Sequence, residues 1–390
     1  MWNLAPAMLA GAVRLNGGFM KAVLTKTNLL EGIRAAGHAI STRTALPILG
    51  HVLISSQDGE LVFSATDHQV GISAVIPAQI LEEGEMTVLA TLAAEVFAAL
   101  PESDVILESN DQFQVKVTCP PAEYQLMGLP PKEFPGLPEV PDEVWFEIDA
   151  KELRQGLKRT SFACSTDELR SIMMGVFFSF TGDTLRLVAT DTHRLAMDIR
   201  VIANGDGEAS AVVPSKAVNE LSRLLPESGT VRIHISHRQV MFQLGHITLT
   251  ATLIEGQFPN YERVIPTQFD KKWVLPTSLF SPAVKRAAIV GREDMNRVVL
   301  KTSGEKIIIQ ARAGSVGRAY EEVEAVRDGD DVEVAFNAQF LLDVLNVIET
   351  EGVQIDLFQP LSPAVVRPVD QDDYLCVVMP MQVNEGLSEA

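Results

Sequence analysis

The chain has 390 residues, 46% hydrophobic and 21% charged, which fits two or three globular domains with sizeable cores. Its net charge of −19 excludes a protein that grips nucleic acid by charge over its whole surface. Cys119, Cys164 and Cys376 are too few and too far apart for a disulfide framework or a metal site, so a reducing cytoplasm is expected, and no apolar run approaches the roughly 18 residues of a membrane span.

Residues 1–19 hold Pro6, Gly11, Gly17 and Gly18 around a short apolar run, with no positive charge ahead of it as a secretory signal requires. They read as an extension, either disordered or assigned from too early a start, before a first strand at 21–24 that Met20 opens. Leu29, Leu30, Ile33, Gly37 and Ile40 then fall at helical spacing. Strands rich in Val, Ile and Phe follow, closed by turns such as Asp58-Gly59. Leu92, Val96, Phe97 and Leu100 make a second helical stripe.

Beyond this point the same markers return. Ala65-Thr66-Asp67 recurs as Ala189-Thr190-Asp191, 124 residues on, and Phe134-Pro135 recurs as Phe258-Pro259 at the same offset. Leu100-Pro101-Glu102 recurs as Leu225-Pro226-Glu227, 125 residues on. A third copy is fainter: a helix start at Thr277-Ser278-Leu279-Phe280 answers the one at Asp149-Ala150-Lys151-Glu152-Leu153. A further helix over 337–348 carries Phe340, Leu341, Val344, Leu345 and Ile348. The chain is expected to be α+β, three repeats of helix, strands, helix, strands, divided near 138–143 and 267–272.

Basic residues recur on the expected helices. Lys151, Arg154 and Lys158 share a face opposite Leu153 and Leu157, and Lys216 and Arg223 share one opposite Leu221 and Leu225. Lys26, Arg34 and Arg43 in the first repeat and Lys285, Arg286, Arg292 and Arg297 in the third extend the pattern. The acids crowd elsewhere, at Glu82-Glu83-Gly84-Glu85, Glu321-Glu322, 328–331 and 370–373. Sparse bases inside an acidic body suit loose, sequence-blind contact with phosphates.

Four segments carry a family resemblance. Val188-Ala189-Thr190-Asp191-Thr192-His193-Arg194-Leu195-Ala196 resembles the T-D-x-H-R-L-A segment of bacterial sliding clamps, the DNA polymerase III beta subunits. Gly256-Gln257-Phe258-Pro259-Asn260-Tyr261-Glu262-Arg263-Val264-Ile265-Pro266 resembles their G-x-F-P-x-Y-x-x-V-x-P segment. Leu46-Pro47-Ile48-Leu49 and Val377-Val378-Met379-Pro380-Met381 resemble their L-P-I-L and V-V-M-P-M elements. The resemblance spans 20–382 in the family's order. It implies three domains of the DNA-clamp fold, at 20–141, 142–270 and 271–383 with a tail at 384–390, and a head-to-tail dimeric ring. Helices would line its channel, with antiparallel sheets outside.

The resemblance also implies a processivity factor, not an enzyme, with no cofactor and no metal. It would encircle double-stranded DNA and tether the replicative DNA polymerase. Other partners would be a clamp-loader ATPase and other polymerases and repair proteins carrying short clamp-binding peptides. It would not engage a membrane. The implied peptide groove comprises Met173, Thr190, Thr192, His193, Arg194, Leu195, Pro259, Val264, Leu361, Pro363, Val377, Val378, Met379, Pro380, Met381 and Gln382. DNA contact falls to Arg43 and Arg170, with Lys151, Arg154 and Lys158. The dimer contact falls to Tyr124 and Leu126 against Ile289 and Val290. Thr192 and Gln382 depart from the family pattern, which has Gly and Arg in its best-known members, and 383–390 run past its usual end.

Two other classes compete. Asp191 and His193, two apart on an expected strand, point to one face and could serve as an acid–base pair of a metal-independent hydrolase. No nucleophile motif or glycine-rich phosphate loop accompanies them, and Asp67 in the same Ala-Thr-Asp context suggests a fold-level role for the carboxylate. The second competitor is a repeat scaffold that binds proteins only.

Overall fold

The structure, a computed structural model, describes residues 19–40, 46–138, 140, 145–203, 207–314 and 316–382. The expectations for 1–18, for Arg43 and for the tail lie outside the described residues.

The first repeat runs β1 (Lys21–Thr25), α1 (Lys26–Gly37), β2 (His51–Gln57), β3 (Glu60–Thr66), β4 (Val70–Ile76), β5 (Gln79–Glu82), β6 (Glu85–Leu89), α2 (Ala90–Ala99), β7 (Asp104–Ser109), β8 (Gln114–Cys119) and β9 (Ala122–Met127). The second runs β10 (Phe146–Asp149), α3 (Ala150–Thr160), β11 (Gly175–Thr181), β12 (Thr184–Thr190), β13 (Arg194–Val201), β14 (Glu208–Pro214), α4 (Ser215–Leu224), β15 (Thr230–Ile235), β16 (Gln239–Leu244) and β17 (Ile247–Thr252). The third runs β18 (Lys271–Pro276), α5 (Thr277–Gly291), β19 (Arg297–Ser303), β20 (Lys306–Ala313), β21 (Gly317–Glu324), β22 (Val326–Asp328), β23 (Glu333–Asn337), α6 (Ala338–Leu345), β24 (Gly352–Leu357), β25 (Ala364–Pro368) and β26 (Tyr374–Val378). The element order repeats, with β5 and β22 as short additions.

Each first helix starts at a strand end. Thr25 caps α1 by accepting from Asn28 N, and Asp149 caps α3 by accepting from Lys151 N. The helices then lie hard against their sheets. A Cβ on Gly32 of α1 would meet the Phe63 ring at 2.6 Å, and one on Gly156 of α3 would meet Leu187 Cδ1 at 2.6 Å. These two glycines are themselves 124 residues apart, so the close approach of helix to sheet is part of the repeated design.

Contacts gather the chain into two compact units, Met1–Asp142 with Met241–Ala251 and Glu143–Val240 with Thr252–Ala390. In the first unit β5-β1-β7-β8-β9 form an antiparallel sheet, and β17-β4-β3-β2-β6 pair in that order. In the second unit β14-β11-β12-β13-β26-β25-β24-β18-β22 form one nine-stranded sheet, and β21-β20-β19-β23 another of four.

One rule governs both junctions between repeats. The last strand of a repeat pairs antiparallel with the strand that closes the first meander of the repeat before it. Thus β17 lies on β4, with Ile247 opposite Ala74, and β26 lies on β13, with Val377 opposite Leu195. The corresponding strands left over, β9 and β21, each stand at the edge of a sheet.

The β13–β26 junction carries a buried charge cluster. Asp198, with no exposed surface, receives Arg200, and Arg159 Nη1 lies 3.6 Å from its Oδ1. Both guanidiniums also reach Asp373 Oδ2, at 3.2 and 3.3 Å. Burial pushes the Asp198 carboxyl above its usual range, against the pull of the Arg200 and Arg159 guanidiniums.

Candidate functional site

The Thr-Asp repeat builds a specific turn. Asp191 Oδ1 accepts from His193 N at 2.9 Å and Arg194 N at 3.0 Å, while Thr190 Oγ1 donates to Arg194 O at 2.7 Å. Asp67 Oδ1 does the same for Gln69 N and Val70 N, and Thr66 Oγ1 for Val70 O. The residue after each Asp takes a left-handed conformation, φ +79° at Thr192 and +74° at His68. Asp191 and His193 therefore sit in a turn between β12 and β13, not on a strand. The strand reading fails because the Asp side chain takes over the next backbone N–H groups and ends the ladder. Asp191 Oδ2 also accepts from Arg194 Nε at 3.0 Å, so both carboxylate oxygens serve the turn. The role of this Asp in the fold is as the sequence suggests.

Arg194 anchors that turn to its surroundings. Its Nη2 donates to Phe162 O at 2.7 Å, Nη1 reaches Asp343 on α6, and the guanidinium lies 4.6 Å over the Phe340 ring. The His193 ring stacks on Phe340 with centroids 6.2 Å apart, and His193 O accepts from Met379 N at 2.8 Å. Cys164 stands beside Arg194, and burial pushes its thiol up to about 12.

Next to this turn opens a cavity of about 180 Å³, lined by Met173, Thr190, Thr192, Arg194, Leu195, Pro259, Tyr261, Val264, Val377 and Met379. Its floor, Leu195 and Val377, belongs to a core cluster with Val188, Phe258 and Tyr261. Phe177 and Phe258 stack there at 4.9 Å. Its wall comes from the 253–270 linker, where Tyr261–Arg263 form a 3-10 turn. Tyr261 was absent from the residues drawn from the family pattern, although it stands inside the quoted Phe258–Tyr261 motif. Arg186 Nη1 donates to its hydroxyl at 3.1 Å, and Tyr261 lines the cavity.

The structure thus gathers Met173, Thr190, Thr192, Arg194, Leu195, Pro259, Val264, Val377 and Met379 around one cavity. The remaining expected residues stand off its wall. Val378 alternates to the other face of β26 and is fully buried. Met381 N donates to Ala335 O at 2.7 Å, so the segment after β26 is tied to β23 at Met381. Pro380 is half-buried, Gln382 and His193 are exposed, and Leu361 and Pro363 lie in the β24–β25 turn, Leu361 at 64% exposure.

The basic residues are more engaged than their spacing suggests. Lys151 and Lys158 are exposed on α3 opposite the buried Leu153 and Leu157, as expected, and Lys158 pairs with Glu349 at 2.8 Å. Arg154 turns back to donate to the Leu225 and Pro226 carbonyls. Arg170 pairs with Asp167 at 3.5 Å and donates to Thr192 Oγ1. Arg286 is held by both oxygens of Glu321. Arg297 is a correction: it opens β19, is buried, and pairs with Asp294. Of the residues expected at the dimer contact, Leu126 lies opposite Val115 on β8 at 6% exposure, Tyr124 and Ile289 are exposed, and Val290 is half-buried.

Family models for the N-terminal, central and C-terminal domains of the DNA polymerase III beta subunit match residues 20–138, 147–260 and 262–382. The beta sliding clamp of Staphylococcus epidermidis is 30% identical over 355 residues, covering 88% of this chain and 94% of that protein. The solved sliding clamp of Bacillus subtilis superposes with a TM-score of 0.91 at 27% identity, covering 94% of this chain and all of that one. A Pseudomonas aeruginosa sliding clamp bound to griselimycin gives 0.89 at 33% identity, again covering 94% and 100%. With its three matched domains in order and its fold shared along nearly the whole length, the chain belongs to the DNA polymerase III beta subunit family, the bacterial sliding clamps.

Proposed function

We propose that the cavity beside the β12–β13 turn is where this clamp holds short peptides of its partners, and that two copies close into a ring through β9 and β21. The chain is a DNA sliding clamp, a non-catalytic subunit that serves a DNA polymerase as a homodimer on DNA. The single observation that carries the peptide reading is the cavity itself. Its apolar lining of Met173, Leu195, Pro259, Val264, Val377 and Met379 is rimmed by the Thr192 turn and opens to solvent. Methionines on its wall adapt to differing side chains, which suits one groove serving several partners. That a clamp of this fold takes griselimycin supports a ligand-holding role.

Ring closure follows from the junction rule. β4 receives β17 and β13 receives β26, so β21 calls for a β9 from a second copy, and the two free edges satisfy each other twice. Tyr124 on β9, Tyr320 on β21 and Ile289 on α5 supply exposed apolar surface there. On this reading the domains run 20–141, 142–270 and 271–383, and Lys151, Lys158, Arg154 and Arg43 touch DNA, while Arg170 faces the cavity rim through Thr192. A clamp-loading ATPase opens the ring, other polymerases and repair proteins share the groove, and the protein works in the cytoplasm. No helix among the described residues is long and apolar enough to cross a membrane.

Peptide titration tests the groove. A short peptide with Gln, Leu and Phe anchors should bind the wild type. Val264→Asp, at a residue 47% exposed and so tolerated by the fold, should weaken it about 30-fold, the equivalent of ~2 kcal/mol at an anchor pocket. Truncation after Val378, which removes Met379, should do the same or more. Unchanged affinity in both variants would place the peptide site elsewhere.

A further inference from the structure

The two turns that flank the cavity are joined by one side-chain hydrogen bond. Arg170 Nη1 donates to Thr192 Oγ1 at 2.6 Å. Arg170 belongs to the 3-10 segment Glu168–Met173, whose last residue lines the cavity, and Thr192 lines it from the β12–β13 turn. Asp167 Oδ2, 3.5 Å from Arg170 Nε, steadies the guanidinium from its own turn. The backbone of Arg170 leaves helical geometry at φ −117°, ψ 49°, which breaks the 3-10 segment at the residue that makes the bond.

Thr192 pays conformationally for its place. Its φ of +79° is one that glycine adopts freely and a β-branched residue resists. His68 takes the same conformation in the matching turn of the first repeat, so the turn itself demands it. Here the threonine contributes a hydroxyl that glycine lacks, and that hydroxyl receives Arg170. Both side chains are substantially exposed, so the bond lies on the cavity rim and not in the core.

The geometry points to Arg170 and Thr192 as a strap that fixes the spacing of the Met173 and Thr192 turns and so sets the size of anchor side chain that the cavity admits. The inference rests on the peptide reading of the cavity. A rim held at fixed width favours a compact anchor over a broad one. Hydrophobic pockets discriminate by size through such walls, and the discrimination falls when a wall can yield. The strap is a positioning device: it acts through Met173 and Thr192 on whatever the cavity holds.

The test compares two peptides that differ only in one anchor, leucine against tryptophan, by titration against the full-length protein. The wild type should prefer leucine. Thr192→Val keeps the branched shape and the strain but removes the acceptor, and Arg170→Ala removes the donor; each should shrink the preference about fivefold or more. Thr192→Ser keeps the hydroxyl and should keep the preference. Thr192→Gly should lose the preference while raising the melting temperature, because the backbone strain is relieved. Unchanged leucine-to-tryptophan ratios in Thr192→Val and Arg170→Ala, in a wild type that binds, would overturn the strap and leave the groove standing. Loss of the preference in Thr192→Ser would also overturn it, since the methyl and not the hydroxyl would then matter. A wild type that binds neither peptide would remove the groove reading and the strap with it.

Discussion

Arg194→Ala should separate the third repeat's α6 from the turn that rims the cavity. The side chain is only 10% exposed and satisfies three partners: Asp191 on its own turn, Asp343 on α6, and the Phe162 carbonyl. Removing it leaves two carboxylates, at 15% and 20% exposure, facing a vacated site, and strips one carbonyl of its donor. It also removes the cation lying over Phe340 and Phe162. Breaking a buried pair typically costs 3–5 kcal/mol; the carboxylates retain some water, so about 3 kcal/mol is expected. In a cooperative unit of this size that corresponds to a melting shift of roughly 6–12 °C. Thermal unfolding at pH 7, in low salt and in 1 M NaCl, is the assay. The loss should persist in salt, since a mostly buried group is little screened. Asp343→Ala should couple to it by about 1.5 kcal/mol or more in a double-mutant cycle. A shift under 2 °C, or full additivity of the two substitutions, would refute the view that Arg194 joins the repeats.

Ile289→Asp should yield folded monomers, because a carboxylate at the closing interface would be buried unpaired; sedimentation of an unchanged dimer would contradict the β9–β21 closure. Cys164 and Cys376 should resist iodoacetamide at pH 8 in the native protein. Burial pushes both thiols up to about 12, so little thiolate is present until pH rises far beyond that of the assay. Mass spectrometry showing rapid native labelling of Cys164 would contradict that environment.

Much of the fold was legible because the repeat is written in residues that make backbone structure. The Thr-Asp pairs at 66–67 and 190–191 build the same turn, which holds their spacing at 124. Gly32 and Gly156 keep the same spacing for the same steric reason, which the sequence alone does not mark, since a glycine inside a helical stripe reads as a weak point without the sheet beneath it. The third repeat is faint because its equivalent hairpin, β20 to β21, turns through Gly314 and Gly317 without a Thr-Asp pair. Most of the cavity was reachable from motifs that carry its wall on contiguous strands and turns. The rest depended on contacts across the chain. Neither the burial of Arg297 at the head of β19 nor that of Leu126 on β9 is written in the spacing of their neighbours, and the Tyr261 hydroxyl takes its hydrogen bond from Arg186, 75 positions away.

Encirclement separates a sliding clamp from a protein held on DNA by charge. A protein making six to ten phosphate contacts loses roughly a thousandfold or more in affinity between 50 and 200 mM salt. A closed ring on circular DNA has no such exit, since it must open an interface or reach an end. The measurement is to load the protein with a clamp-loading ATPase onto nicked circular plasmid, raise the salt, and then linearise. The ring should stay through the salt step and leave when an end appears, while Lys158→Ala weakens loading modestly and leaves retention on circles nearly unchanged. Equal release from circular and linear DNA, tracking salt alone, would contradict a ring around DNA.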